Sequence, residues 1–94
     1  MDAAESFDSY SEIADQQLDD LESKTDVRLY NEVLKVCNQI FDEPDSIKKF
    51  SSVITTTEGL RFSTSVPGGY PYRVYWSMSM EGLVRIEAVF VYTN

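Results

Sequence analysis

Five side chains in the second half of the chain could act together on a charged substrate: Arg61, Arg73, Tyr75, Arg85 and Glu87. The stretches that hold them alternate apolar and polar residues, and residues two apart on a strand face the same way, so the spacing puts all five on one face of a sheet. Three guanidiniums on a rigid sheet can hold phosphate oxygens through paired hydrogen bonds. A tyrosine among them can stack on a base or donate a proton. An RNA-cleaving site built this way would use Arg61 and Arg73 to stabilise charge at the scissile phosphate, with Tyr75 or Glu87 as acid or base. Arg85 would be a further phosphate-binding group. The same residues also fit a plainer reading, in which arginines and a glutamate pair across the wet face of a sheet and Glu87 neutralises Arg73 and Arg85.

Other chemistries have less to work with. The chain contains no histidine, which removes triads built on imidazole and mixed His/Cys zinc sites. Cys37 is the single cysteine, so no disulfide within the chain is possible. Its place among helical apolar residues reads as a small buried hydrophobe in a reducing compartment. Metal binding would fall to carboxylates alone, and neither a metal nor another cofactor is expected. The N-terminus lacks the basic and apolar stretches of a signal peptide, and no apolar run is long enough to span a membrane. A cytoplasmic location, with no membrane partner, is the expectation.

Positioning the five residues requires a sheet and something to cover its other face. The 94 residues suit one domain, residues 1–94, with an acidic segment over 1–10, helices over 11–50 and a sheet over 53–92. Ser9 or Ser11 can cap a first helix running to about Ser23, with Tyr10, Ala14, Leu18 and Leu21 at helical spacing. Thr25 or Asp26 can cap a second, whose apolar stripe is Tyr30, Val33, Leu34, Cys37, Ile40 and Phe41. Pro44 stops it near Asp42, and residues 46–50 can add one turn. From Val53 the period changes to two and β-branched and aromatic residues become dense. The fold class read from this order is α+β, an N-terminal two-helix hairpin on one face of a three- to four-stranded antiparallel sheet.

The register of the last hairpin can be argued from side chains. A three-residue loop, Met80-Glu81-Gly82, sorts apolar from polar residues. It sets Tyr72, Val74, Trp76 and Met78 against Phe90, Ala88, Ile86 and Val84 on the helix side. Arg73, Tyr75 and Ser77 then meet Val89, Glu87 and Arg85 on the open side. Gly82 would take the left-handed bulge position that glycine fills without steric cost. Tyr70, Tyr72 and Trp76 are candidate interface anchors, with Trp76 better suited to the core.

The net charge of −8 is unevenly placed. Residues 1–26 hold nine acids against Lys24, while residues 27–94 hold seven acids and seven bases. Free nucleic acid would be repelled by the first segment, which reads as a solvated helix face. It also reads as a docking surface for a basic protein partner, or as a nucleic-acid mimic.

The helix hairpin followed by Gly59-Leu60-Arg61-Phe62, Tyr72-Arg73-Val74-Tyr75-Trp76 and Val84-Arg85-Ile86-Glu87-Ala88-Val89-Phe90 resembles the RelE/ParE superfamily of bacterial toxins over residues 11–92. In that family a short first strand precedes two helices and a three-strand antiparallel sheet. The resemblance implies a toxin component of a type II toxin–antitoxin system, whose partners would be an antitoxin and either the ribosome and its mRNA or DNA gyrase. RelE-like members cut mRNA and ParE-like members poison gyrase, so the resemblance leaves enzyme and non-enzyme open. Arg61 and Arg73 match two basic positions of the RelE-like pattern. Ser63 stands where a second basic residue is usual, and the sequence reaches Asn94 without the segment that carries a further Arg and a catalytic Tyr. The alternative on the same scaffold is a non-catalytic acidic interaction protein that binds a basic partner.

Overall fold

The computed structural model describes residues 9–24, 27–57 and 59–91. Helix α1 spans Glu12–Lys24 and α2 spans Val27–Asp42, followed by the short α3, Pro44–Lys48. Four strands come next: β1 Ser52–Thr56, β2 Gly59–Ser65, β3 Tyr72–Met78 and β4 Val84–Val91. They form one antiparallel sheet in the order β1-β2-β3-β4. This is the α+β arrangement expected from the sequence, with the helices ahead of the sheet. Among the described residues no helix is long and apolar enough to cross a membrane.

Ser11 starts α1. Its hydroxyl accepts from the Ala14 N–H at 3.0 Å, satisfying one of the amides that the first turn leaves without a helical partner. Ala14, Leu18 and Leu21 then come round to the core. The candidate caps of α2, Thr25 and Asp26, lie outside the described residues, as does any strand over residues 2–8. From α2 the core receives Val33, Val36, Cys37 and Ile40, with Leu29, Tyr30, Leu34 and Phe41 packed at its margin. Val36 widens the expected stripe. Pro44 does not merely end α2. Its fixed φ suits a first helical turn, so α3 begins on it, two residues earlier than the spacing suggested.

The helices cover the sheet face that carries Phe62, Val74, Trp76 and Ile86, each 2% exposed or less. Phe62 and Trp76 are cross-strand partners, with rings stacked 4.6 Å apart. A one-way run of hydrogen bonds ties this face to α3. Trp76 Nε1–H donates to Thr64 Oγ1 at 2.9 Å, and the Thr64 and Ser51 hydroxyls lie 2.6 Å apart. Ser51 donates to the Ile47 carbonyl at 2.7 Å. With Thr64 donating to Ser51, each hydroxyl gives one bond and receives one, so a polar chain enters the core without an orphaned group.

At the β3–β4 hairpin the three-residue loop forms as expected. Ser79 N–H bonds the Leu83 carbonyl at 2.9 Å, and Gly82 sits at φ 89°, where a side chain would be strained. The near half of the register is also as expected, with Trp76 opposite Ile86, Ser77 opposite Arg85 and Met78 opposite Val84.

Beyond Trp76 the expected register fails. Tyr75 faces Ala88, Val74 faces Val89 and Arg73 faces Phe90, because β4 carries one extra residue, Glu87, across from the Tyr75/Trp76 step. A bulge reverses the side on which every later residue points. Val89 therefore enters the core at 4% exposure, while Ala88 and Phe90 move to the open face. Helix α1 stabilises the irregularity: the Ser11 hydroxyl donates to the Glu87 carbonyl at 2.6 Å, and the Gln17 side-chain oxygen accepts from Val89 N–H at 2.6 Å.

Candidate functional site

The face of the sheet away from the helices is ordered in rows by strand pairing. One row runs Ile54, Arg61, Ser77, Arg85; the next runs Ser52, Ser63, Tyr75, Ala88; a third holds Ser65, Arg73 and Phe90. All five side chains singled out from the sequence belong to this face, and the structure distributes them between two settings.

Arg61 and Arg85 flank Ser77 in the first row. Together with Glu87, Leu60 and Leu83 they line a shallow depression of about 220 Å³. Ser77 donates its hydroxyl proton to a Glu87 carboxylate oxygen at 2.6 Å, which fixes that carboxylate between the strands. This contact was not legible in the sequence, since it needs the bulge that brings Glu87 beside Ser77. The depression offers two guanidiniums, a hydroxyl and a carboxylate within one open, half-buried concavity, a set suited to a phosphate or another anion whose neighbouring hydroxyl or amine can reach Glu87.

Arg73 and Tyr75 are set differently. The Arg73 guanidinium donates from Nε to Ser63 Oγ at 2.7 Å and from Nη2 to the Ser63 carbonyl at 2.9 Å. Ser63 is thereby covered, at 7% exposure, on the face expected to be wet. Tyr75 packs edge-on against Phe90, with ring centroids 6.4 Å apart at 77°, a contact that follows from the bulge. Arg73 thus braces β2 against β3, and Tyr75 closes an aromatic pair beside it. Hydrogen bonds of a charged donor are worth about 1.5–3 kcal/mol each at most. Arg73→Ala should therefore destabilise the fold by roughly 1–3 kcal/mol in a denaturant titration.

Cys37 offers no alternative nucleophile. It is fully buried, and burial, opposed by hydrogen bonds from Tyr10 and the backbone, pushes its thiol up to about 11. The Tyr10 hydroxyl, raised to about 12 by burial and by the neighbouring Cys37, is equally held in its neutral form. Among the described residues no group of three His, Cys, Asp or Glu is placed to hold a metal ion.

A second concavity, of about 580 Å³, opens where α2 and α3 meet the end of β2, between Val36, Gln39, Glu43, Ile47, Phe50 and Pro67. It lies on the helix side and shares no residue with the arginine depression. No protein-family model, curated protein or solved structure matches the chain.

Proposed function

We propose that this protein is a RelE/ParE-like toxin component of a type II toxin–antitoxin system, and that it engages its target through the Arg61–Ser77–Arg85 row of the open sheet face. The observation that carries the reading is the shared depression in which Arg61 and Arg85 flank Ser77 and Glu87. In this reading Arg61 and Arg85 take hold of phosphate oxygens on a nucleic acid or an anionic partner surface. If the target is mRNA, the Glu87 carboxylate accepts a proton in this reading and Arg61 stabilises charge. Arg73 and Tyr75 support that surface from the neighbouring rows. If the target is gyrase, the same arginines are binding contacts and no proton moves.

Induced expression of the whole chain in a bacterial host tests the reading. Growth should arrest, and a small protein encoded beside the chain's gene should relieve it when co-expressed. Fragmented mRNA during arrest identifies a ribonuclease, and intact mRNA with damaged DNA identifies a gyrase poison. Normal growth at full expression rejects the toxin reading.

The second reading is a non-catalytic protein that binds a basic partner through α1. It is favoured by the outward placement of Glu12, Asp15, Asp19, Asp20 and Glu22, all exposed, on a helix whose Ala14, Leu18 and Leu21 are buried in the core. Binding of that kind weakens steeply with salt, and reversing Asp15 and Asp19 to lysine would abolish it while leaving the sheet face intact.

A further inference from the structure

The two edges of the sheet are treated differently. Along β4, Ile86 exchanges backbone hydrogen bonds with Ser9 and Ser11 at 2.8 and 2.9 Å, and Ser11 and Gln17 side chains take up the Glu87 carbonyl and the Val89 amide. That edge is closed by the entry to α1. The opposite edge is β1, which among the described residues has a sheet neighbour on one side only. Its residues Ser52 to Thr55 are all exposed, including Val53 at 56% and Ile54 at 41%. Alternate residues of such a strand turn N–H and C=O groups outward, a template for another strand. Exposed apolar side chains flank it, Phe50 at 77% and Leu60 at 47%.

From this we infer that β1 pairs with β1 of a second copy of the chain, antiparallel about a two-fold axis at Ile54, to give one continuous eight-stranded sheet. Residues 50–57 carry no charge in a chain of net charge −8, so the edge strand itself offers a partner backbone groups and uncharged side chains only. A second copy needs only matching backbone and β-branched side chains, and symmetry supplies both: Ile54 meets Ile54 of the second copy, and Val53 meets Thr55 of the second copy. Charge placement favours the same answer. The acidic helix α1 packs on β4, three strand spacings from β1, roughly 14 Å at ~4.8 Å per spacing. Joined through β1, two copies hold their acidic helices at opposite ends of the sheet, separated by well over the ~8 Å screening length of physiological salt.

Sedimentation velocity on the full chain from low micromolar to about millimolar concentration tests the pairing, with Ile54→Lys as the variant and its melting curve as the check on folding. The wild type should sediment at twice the 10.7 kDa chain mass and the folded variant at the chain mass. Ile54→Cys supplies an independent readout of register. Opposed Cβ atoms ~4.5–5.5 Å apart can be bridged after a small adjustment. With diamide as the oxidant, two thiols lose their protons and two electrons to form one disulfide, giving a covalent dimer on a non-reducing gel. Val27→Cys on α2, 66% exposed, should give none, and the native Cys37 is buried. A wild type that stays monomeric throughout, or a dimer that both Ile54→Lys and the cysteine pattern leave unaffected, overturns the inference.

Discussion

Trp76→Ala should lower stability by about 3–5 kcal/mol, the largest loss expected of any single side chain here. The ring is fully buried, stacks on Phe62 at 4.6 Å and donates the first hydrogen bond of the run through Thr64 and Ser51 to the Ile47 carbonyl. Truncation removes the stack on Phe62 and the packing of β3 beneath the helices, and also strips Thr64 of its donor. For a domain of this size each kcal/mol is worth about 4–8 °C, so the Tm should fall by at least about 12 °C. Trp76→Phe keeps the stack and gives up the N–H and some volume, and its cost should shrink to roughly 1–3 kcal/mol. Unchanged melting in Trp76→Ala would place the ring on the solvent side and reverse the assignment of the two sheet faces.

Alkaline pH should destabilise the protein through a pair of groups at the helix–sheet seam. The Cys37 thiol is raised from 9.0 to about 11 by burial, and the Tyr10 hydroxyl from 10.0 to about 12 by burial and by Cys37 beside it. Between the ordinary and the raised value the unfolded chain has released its proton while the folded chain has not, so stability falls as pH rises. The contribution of Cys37 is complete below pH 9.0 and is lost as the pH climbs through about 11, an effect of ~3 kcal/mol. Tyr10 extends the decline from pH 10.0 toward 12, by less, because it is only half-buried. Denaturant titrations at pH 8, 9, 10 and 11, roughly bracketing these values, should show a flat start and a progressive loss. Cys37→Ala should delay its onset by about one pH step. A wild type equally stable at both ends of the series would contradict the burial of the thiol.

Much of the fold was legible because local and tertiary preferences agree. Ala14, Leu18 and Leu21, and Val33, Cys37 and Ile40, recur at helical spacing and are buried as the spacing requires. Gly82 names its own turn. The failure at β4 has a definite cause. In Val84–Val91 the residues after Ile86 are apolar in both phases, Ala88 and Phe90 in one and Val89 and Val91 in the other, so hydrophobic alternation could not choose between them. The choice is made by α1, whose Ser11 and Gln17 reach the bulged backbone from a helix over seventy residues away in sequence. That one extra residue also decided the site. It placed Glu87 against Ser77 and Phe90 against Tyr75. The sequence had grouped the arginines on one face correctly, but it could not distinguish the pair at the depression from Arg73, whose bonds to Ser63 depend on a diagonal reach across strands.

On the proposed reading, Arg61 and Arg85 at the open face carry the activity. The most direct measurement compares growth and mRNA integrity during induced expression of the wild type, the Arg61→Ala/Arg85→Ala double variant and the Asp15→Lys/Asp19→Lys double variant, each at matched expression and with its folding confirmed by melting. Arrest by the wild type and by the aspartate variant, with loss of arrest in the folded arginine variant, is the predicted result. Arrest that survives removal of both arginines would contradict it.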